Sequence, residues 1–300
     1  MSAEIISGKS IAQELRSEIE DGIARLKDAG GPTPGLATVL VGEDPASQMY
    51  VDMKNRTAAA LGISSRQITL DADATQDELL GLVAGLNADP DVHGILVQLP
   101  LPHGIDEAAV LEAVSPSKDV DGFHPVNVGR LSTGSGFFFA PCTPVGVIEM
   151  LVRSGNDPSG KHVVVVGRSN IVGRPLVNLL SRKGRGGNAT VTVCHSRTPD
   201  LSLHTRQADI LAVAIGRPEM ITGEMVKPGA VVIDVGTNRV KAPGRSKGYR
   251  VCGDVLFDEV SEVASAISPV PGGVGPMTIT MLLANTLRSA EIEFEAKLGG

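Results

Sequence analysis

Val163-Val164-Val165-Val166-Gly167-Arg168-Ser169-Asn170-Ile171-Val172-Gly173-Arg174-Pro175 decides how this 300-residue chain is read. Four consecutive valines predict a strand buried on both faces, since a strand with one wet face alternates polar and apolar residues. A glycine turn follows, and then a helix. In that arrangement the helix N-terminus offers free N–H groups and a partial positive charge to a pyrophosphate. The spacing departs from the G-x-G-x-x-G fingerprint: Ser169 stands where the second glycine would be, and Gly173 is one residue late. An ordinary strand-to-helix turn fits equally well. The candidate nucleotide contacts here are Gly167, Arg168, Ser169, Ile171, Val172 and Gly173.

The next strand, 190–194, separates these readings. NAD-binding domains usually end it with an acid that holds the ribose 2′-hydroxyl. Here it ends in Cys194-His195-Ser196-Arg197-Thr198, without one. Hydroxyl and guanidinium groups at Ser196, Arg197 and Thr198, beside His195, suit a 2′-phosphate, which favours NADP; a solvated, capped loop is the plainer alternative. Further apolar strands are predicted at 210–215 and 231–235. Gly216 and Val235-Gly236-Thr237-Asn238 follow them as strand-end loops, where open parallel sheets bind ligands.

Toward the N-terminus the same alternation continues. Ile11, Leu15, Ile19, Ile23 and Leu26 recur at helical spacing over 10–27. Strands are expected at 36–41, 66–70 and 94–99. Helices are expected over 44–61, 75–86 and 106–114, the first with Asp44 as N-cap and Pro45 in its first turn. From 118 to 144 periodicity fades into a long loop, and helices at 144–153 and 278–295 complete the pattern. Two α/β domains, joined near residue 148, are the expected architecture.

Composition excludes several classes. Lys and Arg number 27 against 34 Asp and Glu, a formal charge of −7, and there is no Trp. Neither a basic stripe nor a stacking platform for nucleic acid is expected. No apolar run approaches the length of a membrane span, no signal-peptide core opens the chain, and the cytosol is the expected compartment. Three scattered cysteines and six histidines without i,i+4 pairing offer no metal site.

Chemistry has clearer candidates in the N-terminal half. Tyr50 and Lys54 share a helix face. A desolvated lysine can carry protons near neutral pH, although most helical lysines are simply solvated. Gln98 ends the strand at 94–99 and is placed to bond a ligand or to cap its loop. Asp119 and Asp121 flank Val120, where carboxylates can accept from a donor-rich heterocycle or serve a turn.

Read together, these segments resemble the bifunctional methylenetetrahydrofolate dehydrogenase/methenyltetrahydrofolate cyclohydrolase family. The matching stretches are Asp44-Pro45-Ala46-Ser47 with Tyr50, Val51 and Lys54, then GILVQLPLP from Gly94, KDVDGFHPVNVGRL from Lys118, and Pro141-Cys142-Thr143-Pro144. They continue as GRSNIVGRP from Gly167, Val235-Gly236-Thr237-Asn238, and PVPGGVGPMT from Pro269, in family order across essentially the whole chain.

The resemblance implies an N-terminal catalytic, folate-binding domain at 1–148, a Rossmann-like NADP-binding domain at 149–275, and a C-terminal helix, 276–300, returning to the first domain. It implies oxidation of 5,10-methylenetetrahydrofolate with NADP and hydrolysis of the methenyl product to 10-formyltetrahydrofolate, by a cytoplasmic homodimer that feeds purine biosynthesis. Lys54 then matches the general acid/base, chiefly for hydrolysis; Tyr50 positions the folate ring, Gln98 tunes the lysine and Asp121 binds the pterin. Val97 and Leu99, beside Gln98, and Pro271, Gly272, Gly273, Val274, Gly275, Pro276, Met277 and Thr278 line the folate pocket. Gly167, Arg168, Ser169, Ser196 and Thr237 match the dinucleotide site. Thr237 departs from the family, which commonly has an apolar Ile there. The basic stretch 182–188, RKGRGGN, is expected to be a surface loop rather than a phosphate contact. The rival readings are a monofunctional dehydrogenase, a shikimate-dehydrogenase-like oxidoreductase, and a non-catalytic NADP- or folate-binding regulator.

Overall fold

The computed structural model describes residues 2–244 and 248–299. Residues 1, 245–247 and 300, which fall within the expected domain and C-terminal-helix spans, lie outside the described residues. The chain begins with β1 (Glu4–Ile5), α1 (Gly8–Asp28), β2 (Gly35–Val41), α2 (Pro45–Ala60), β3 (Ser64–Leu70), α3 (Gln76–Ala88) and β4 (Gly94–Val97). Next come α4 (Glu107–Ala113), α5 (Pro125–Thr133), α6 (Cys142–Arg153), β5 (His162–Val166), α7 (Gly173–Ser181), β6 (Thr190–Cys194), α8 (Leu201–Thr205) and β7 (Ile210–Val213). The rest is β8 (Val231–Asp234), β9 (Asn238–Lys241), β10 (Tyr249–Cys252), α9 (Phe257–Val263), β11 (Ala266–Ile267) and α10 (Val274–Leu298).

The chain forms two compact units. One comprises Glu14–Cys142 and Ile279–Gly300. Its sheet has the order β3-β2-β4, all parallel, with Val39 opposite both Ile68 and Val97. Every residue of β2 is buried, as the apolar run predicts for a central strand. Leu79, Val83 and Leu86 of α3 and Val110 of α4 pack with Val39 and Ile95 as its core. Within the same unit α1 buries Leu15, Ile19, Ile23 and Leu26.

The second unit comprises Met1–Gln13 and Thr143–Thr278. Its six-stranded parallel sheet has the order β1-β11-β8-β7-β5-β6. The four valines of β5 are fully buried, and Val164 and Val166 pack with Leu211, Val213 and Val232. Strand β1 lies in the sequence span expected for the first domain, yet it pairs with β11 here. Two residues carry too little periodicity to reveal which sheet they join.

Three further differences have physical reasons. The loop expected over 118–144 contains α5. Its entry is marked by Pro125 and by the ring Nδ1 of His124, which accepts from Val126 N–H (3.0 Å). Only Asn127 and Leu131 of this helix are buried, so it lacks an apolar stripe. Helix α10 begins at Val274, inside the glycine-rich stretch, so residues 274–278 are helical rather than loop. The antiparallel pair β9–β10 is a further element; its strands are half-exposed, and Val240 is the one apolar residue of β9.

Candidate functional site

Helix α2 starts as the sequence implies: Asp44 Oδ2 accepts from Ser47 N–H (2.7 Å), with Pro45 in the first turn. Farther along, Asn55 Oδ1 accepts from Thr38 Oγ1 (3.1 Å) and Ser65 Oγ (2.6 Å), pinning this turn of the helix to β2 and β3. The adjacent Lys54 is 9% exposed. Its Nζ donates to Gln98 Oε1 (3.0 Å), and Gln98 Nε2 donates to the carbonyl of Leu99 (2.7 Å), so the amide orientation is fixed from both ends. Gln98 follows β4, whose Val97 is buried.

Asp121 completes the group. Burial pushes its carboxyl above the ordinary carboxylate value, while Lys54 and hydrogen bonds from the Cys142 thiol and backbone N–H act in the opposite direction. Burial lowers Lys54, with Asp121 opposing that shift. Taking both groups out of water therefore moves their proton affinities toward each other. The turn carrying Asp121 is held by Asp119, which accepts from Phe123 N–H (3.2 Å), His124 N–H (2.8 Å) and Asn127 Nδ2 (2.8 Å). Gly122 has φ +75°, and a Cβ there would lie 2.5 Å from the carbonyl carbon of Ala140. Burial pushes Asp119 up to about 6 despite those three donors.

Lys54, Gln98 and Asp121 thus converge. Tyr50, one turn before Lys54 on α2, is 44% exposed, available to a ligand rather than packed into the core. Sequence reasoning missed Cys142 as a member of the group. Its signal was its place in the Pro141-Cys142-Thr143-Pro144 stretch, but a lone cysteine otherwise reads as packing; its thiol is buried and lies well above the ordinary thiol value, chiefly through burial and then through the charge of Asp121.

The stretch Pro271–Thr278 belongs to the other unit. There Thr278 Oγ1 shares a hydrogen bond with Thr143 Oγ1 (2.9 Å). Gly273 is buried against α1, where a Cβ on Gly8 would meet the Gly273 carbonyl oxygen at 1.9 Å.

In the sheet of that unit, the turn after β5 closes on two glycines. Gly167 has φ +131°, and a Cβ would lie 2.2 Å from the carbonyl oxygen of Ala214; a Cβ on Gly173 would lie 2.3 Å from that of Gly167. No side chain larger than hydrogen fits either place, so the two glycines let the chain turn tightly between β5 and α7. Ser169 Oγ accepts from Val172 N–H (3.2 Å) at the start of α7. A cavity of about 320 Å³ opens here, lined by Gly167, Arg168, Ser169, His195 and Ser196 among the expected residues. Ala214, Ile215, Arg217 and Met220 form another wall. Arg217 was not foreseen; the only sequence signal was the turn at Gly216.

Ile171, Val172, Gly173, Arg197, Thr198 and Thr237 are not among the residues lining this cavity. Gly173 shapes the turn instead. His195 N–H donates to Thr198 Oγ1 (2.9 Å), and Arg197 N–H donates to His195 Nδ1 (3.1 Å), so this turn presents Ser196 and leaves Arg197 exposed. The basic stretch 182–188 precedes β6, at the opposite end of the parallel strands from Gly167, and Arg185 is paired there with Glu149. Two exposed guanidiniums, two hydroxyls and a turn with glycine at its two tightest points fit an anionic dinucleotide.

These units define a two-domain α/β protein with a parallel nucleotide-type sheet in one unit and a buried lysine beside a carboxylate in the other. Family models agree: one described as the tetrahydrofolate dehydrogenase/cyclohydrolase catalytic domain matches residues 6–121, and one described as the NAD(P)-binding domain of the same enzymes matches residues 141–294. The chain belongs to the tetrahydrofolate dehydrogenase/cyclohydrolase family. A relative from Prosthecochloris aestuarii, named bifunctional protein FolD, is 57% identical over 286 residues, covering 95% of this chain and 97% of that one. Among solved structures, the bifunctional enzyme FolD from Campylobacter jejuni is 47% identical with a TM-score of 0.91, covering 97% of this chain and all of that one. The Trypanosoma brucei enzyme, complexed with NADP cofactor and inhibitor, is 42% identical with a TM-score of 0.92 and covers 98% and 99% of the two chains.

Proposed function

We propose that this protein catalyses the NADP-dependent oxidation of 5,10-methylenetetrahydrofolate to the methenyl form and the hydrolysis of that product to 10-formyltetrahydrofolate. The observation that carries the reading is the desolvated Lys54, held by Gln98 at 3.0 Å and facing the charge of Asp121. The near-full-length relatives in both comparisons support the same pair of activities.

In this reading the exposed ring of Tyr50 orients the folate, Asp121 accepts from the pterin, and Val97, Leu99 and Pro271–Thr278 contribute pocket walls. Hydrolysis needs a proton removed from the attacking water and later returned to a departing nitrogen. Lys54 Nζ serves both needs because burial has lowered its proton affinity toward neutrality. Gln98 Oε1 keeps Nζ pointed while its charge changes.

In the nucleotide unit, Arg168, Ser169, Ser196 and Arg217 would hold the phosphate groups of NADP around the Gly167 turn, and the cofactor would supply the hydride acceptor. Arg197 is exposed beside Ser196 and supports recognition of the 2′-phosphate. The oxidation itself asks little acid–base chemistry of the chain, so orientation and exclusion of water are its main contributions.

The 1–148, 149–275 and 276–300 segments carry the folate, nucleotide and returning-helix roles, with β1 structurally in the nucleotide unit. A homodimer in the cytoplasm, supplying formyl groups for purine biosynthesis, completes the proposal. The dimer is supported by β6, an edge strand of the six-stranded sheet with Val193 exposed, beside α8 with Leu203 exposed.

The decisive experiment incubates the purified protein with methylenetetrahydrofolate and NADP while recording NADPH and methenyl consumption separately. Both signals are expected. NADPH without enzyme-dependent hydrolysis would leave a monofunctional dehydrogenase, and binding without turnover would leave a regulator.

A further inference from the structure

Residues 214–220 supply Ala214, Ile215, Arg217 and Met220 to the wall of the nucleotide cavity, yet this segment belongs to no helix or strand. The chain around the end of β10 holds it. Glu219 N–H donates to the carbonyl of Gly253 (3.0 Å), Ile221 N–H to that of Asp254 (3.0 Å), and Leu256 N–H returns a bond to Ile221 (2.8 Å). The Arg250 guanidinium grips the Glu219 carboxylate through two bonds, at 2.7 and 2.6 Å. This set fixes the far end of the segment.

The near end, where the chain leaves β7, depends on one side chain. Asp254 Oδ2 accepts from Ile215 N–H (2.7 Å) and Gly216 N–H (2.9 Å), and Oδ1 accepts from Asn238 Nδ2 (2.8 Å). The residue is wholly buried. It is placed by a second buried carboxylate: Asp234 Oδ1 accepts from Asp254 N–H (3.0 Å) and Gly236 N–H (2.9 Å), and Oδ2 accepts from Val255 N–H (2.9 Å). Sterics lock the same pair. A Cβ on Gly236 would lie 2.3 Å from Asp254 Cγ, and one on Gly253 would lie 1.7 Å from Asp234 Oδ2.

We propose that Asp254 is a positioning residue for dinucleotide binding, fixing the backbone of Ile215 and Gly216 so that the segment 214–220 faces the Gly167–Ser169 turn at the distance the cofactor requires. The turn and the segment are already in contact, since a Cβ at Gly167 would meet the Ala214 carbonyl oxygen at 2.2 Å. Releasing the two amides frees the chain immediately after that contact, and with it Arg217. Of the three donors on this buried carboxylate, Ile215 N–H belongs to a residue lining the cavity and Gly216 N–H lies between two that do, Ile215 and Arg217. Asp254 touches neither cofactor nor substrate in this role.

The inference rests on the nucleotide reading proposed above, and its test separates the two. NADPH affinity is measured by fluorescence titration, alongside dehydrogenase kcat and KM for NADP, and hydrolysis of methenyltetrahydrofolate without nucleotide reports an intact fold. If the wild-type protein fails to bind NADPH, the nucleotide reading falls. If it binds, Asp254→Ala is expected to raise the Kd for NADPH and the KM for NADP by about tenfold or more, because two backbone N–H groups beside the cavity lose their acceptor. At saturating NADP its kcat should stay within about threefold of wild type, since the lost contact orders the site rather than reacting.

Asp254→Asn keeps an acceptor for both amides, and Asn238 can turn its own carboxamide to meet the new NH₂ group. It is expected to recover affinity to within about threefold of wild type. An unchanged NADPH affinity in Asp254→Ala overturns the proposal, as does a loss of kcat with KM unaltered. Should Asp254→Ala lose hydrolysis as well through misfolding, Asn238→Ala decides. It removes one donor from the same carboxylate, and an affinity equal to wild type would overturn the assignment.

Discussion

The lysine site and the glycine turn are built on opposite principles. Around Lys54 a helix, a strand end and a turn bring side chains together, and the proposed function lies in groups whose proton affinities burial has shifted. Around Gly167 the proposed function lies in the absence of side chains at two positions, with 2.2 and 2.3 Å where a Cβ would collide. One site is made by what desolvation does to charge. The other is made by what backbone can approach. Substitutions should therefore separate them, changing rates at the first and affinities at the second.

The strongest way to break that comparison is Lys54→Met. Losing the proton carrier should lower methenyltetrahydrofolate hydrolysis by about 10²–10⁴-fold, the range expected of a general acid/base, while NADPH affinity stays at the wild-type value. Hydrolysis that persists, measured as enzyme-dependent methenyl loss at neutral pH, would remove the lysine from its role.

The converse substitution is Gly167→Ala, which must find room for a methyl group beside the Ala214 carbonyl at a φ of +131°. A strain of about 1–3 kcal/mol is expected at such a position. It should appear as roughly a tenfold or greater loss of NADPH affinity by titration, with nucleotide-independent hydrolysis largely kept. If NADPH affinity survives, the turn is not the phosphate cradle.

A smaller effect sharpens the first half of the comparison. Burial raises Asp119 from 3.8 to about 6. A carboxyl with a raised folded-state pKa favours the folded protein most when it is protonated, so its contribution is fully present below about 3.8 and lost as pH rises through about 6. That window corresponds to about 2–3 kcal/mol. Asp119→Asn does not titrate. Its stability deficit relative to wild type in denaturant titrations should therefore shrink as pH rises from about 4 to about 7; a constant deficit would show that the native carboxyl titrates normally.

The fold was legible wherever an element buries a regular apolar face. Strand β2, strand β5 and helix α1 each carry that pattern, and each stands close to where periodicity places it. Helix α5 was illegible because its buried residues are only Asn127 and Leu131. Its entry is a histidine ring accepting a backbone N–H, a less common cap than Ser, Thr, Asp or Asn. The start of α10 was obscured by glycine and proline, which read as punctuation even where a helix has begun.

The sites show the same division. Lys54, Gln98 and Asp121 could be singled out because polar groups at the ends and faces of apolar elements stand out, although only the folded chain reveals their convergence. Arg217 and Cys142 were hidden for a different reason. Each gains its meaning from a neighbour far away in sequence, Gly167 across the sheet for one and Asp121 for the other.

The interlock of Gly236 with Asp254 and of Gly253 with Asp234 also limits how this chain can vary over generations. A larger residue at either glycine is tolerated only after the facing carboxylate has gone, and a shortened carboxylate leaves its amides bare until the opposite segment changes. Single steps in either order cross a less stable intermediate. Positions 236 and 254, and likewise 234 and 253, should therefore be inherited as pairs, and variants combined from distant relatives should accept both members of a pair together while rejecting either alone.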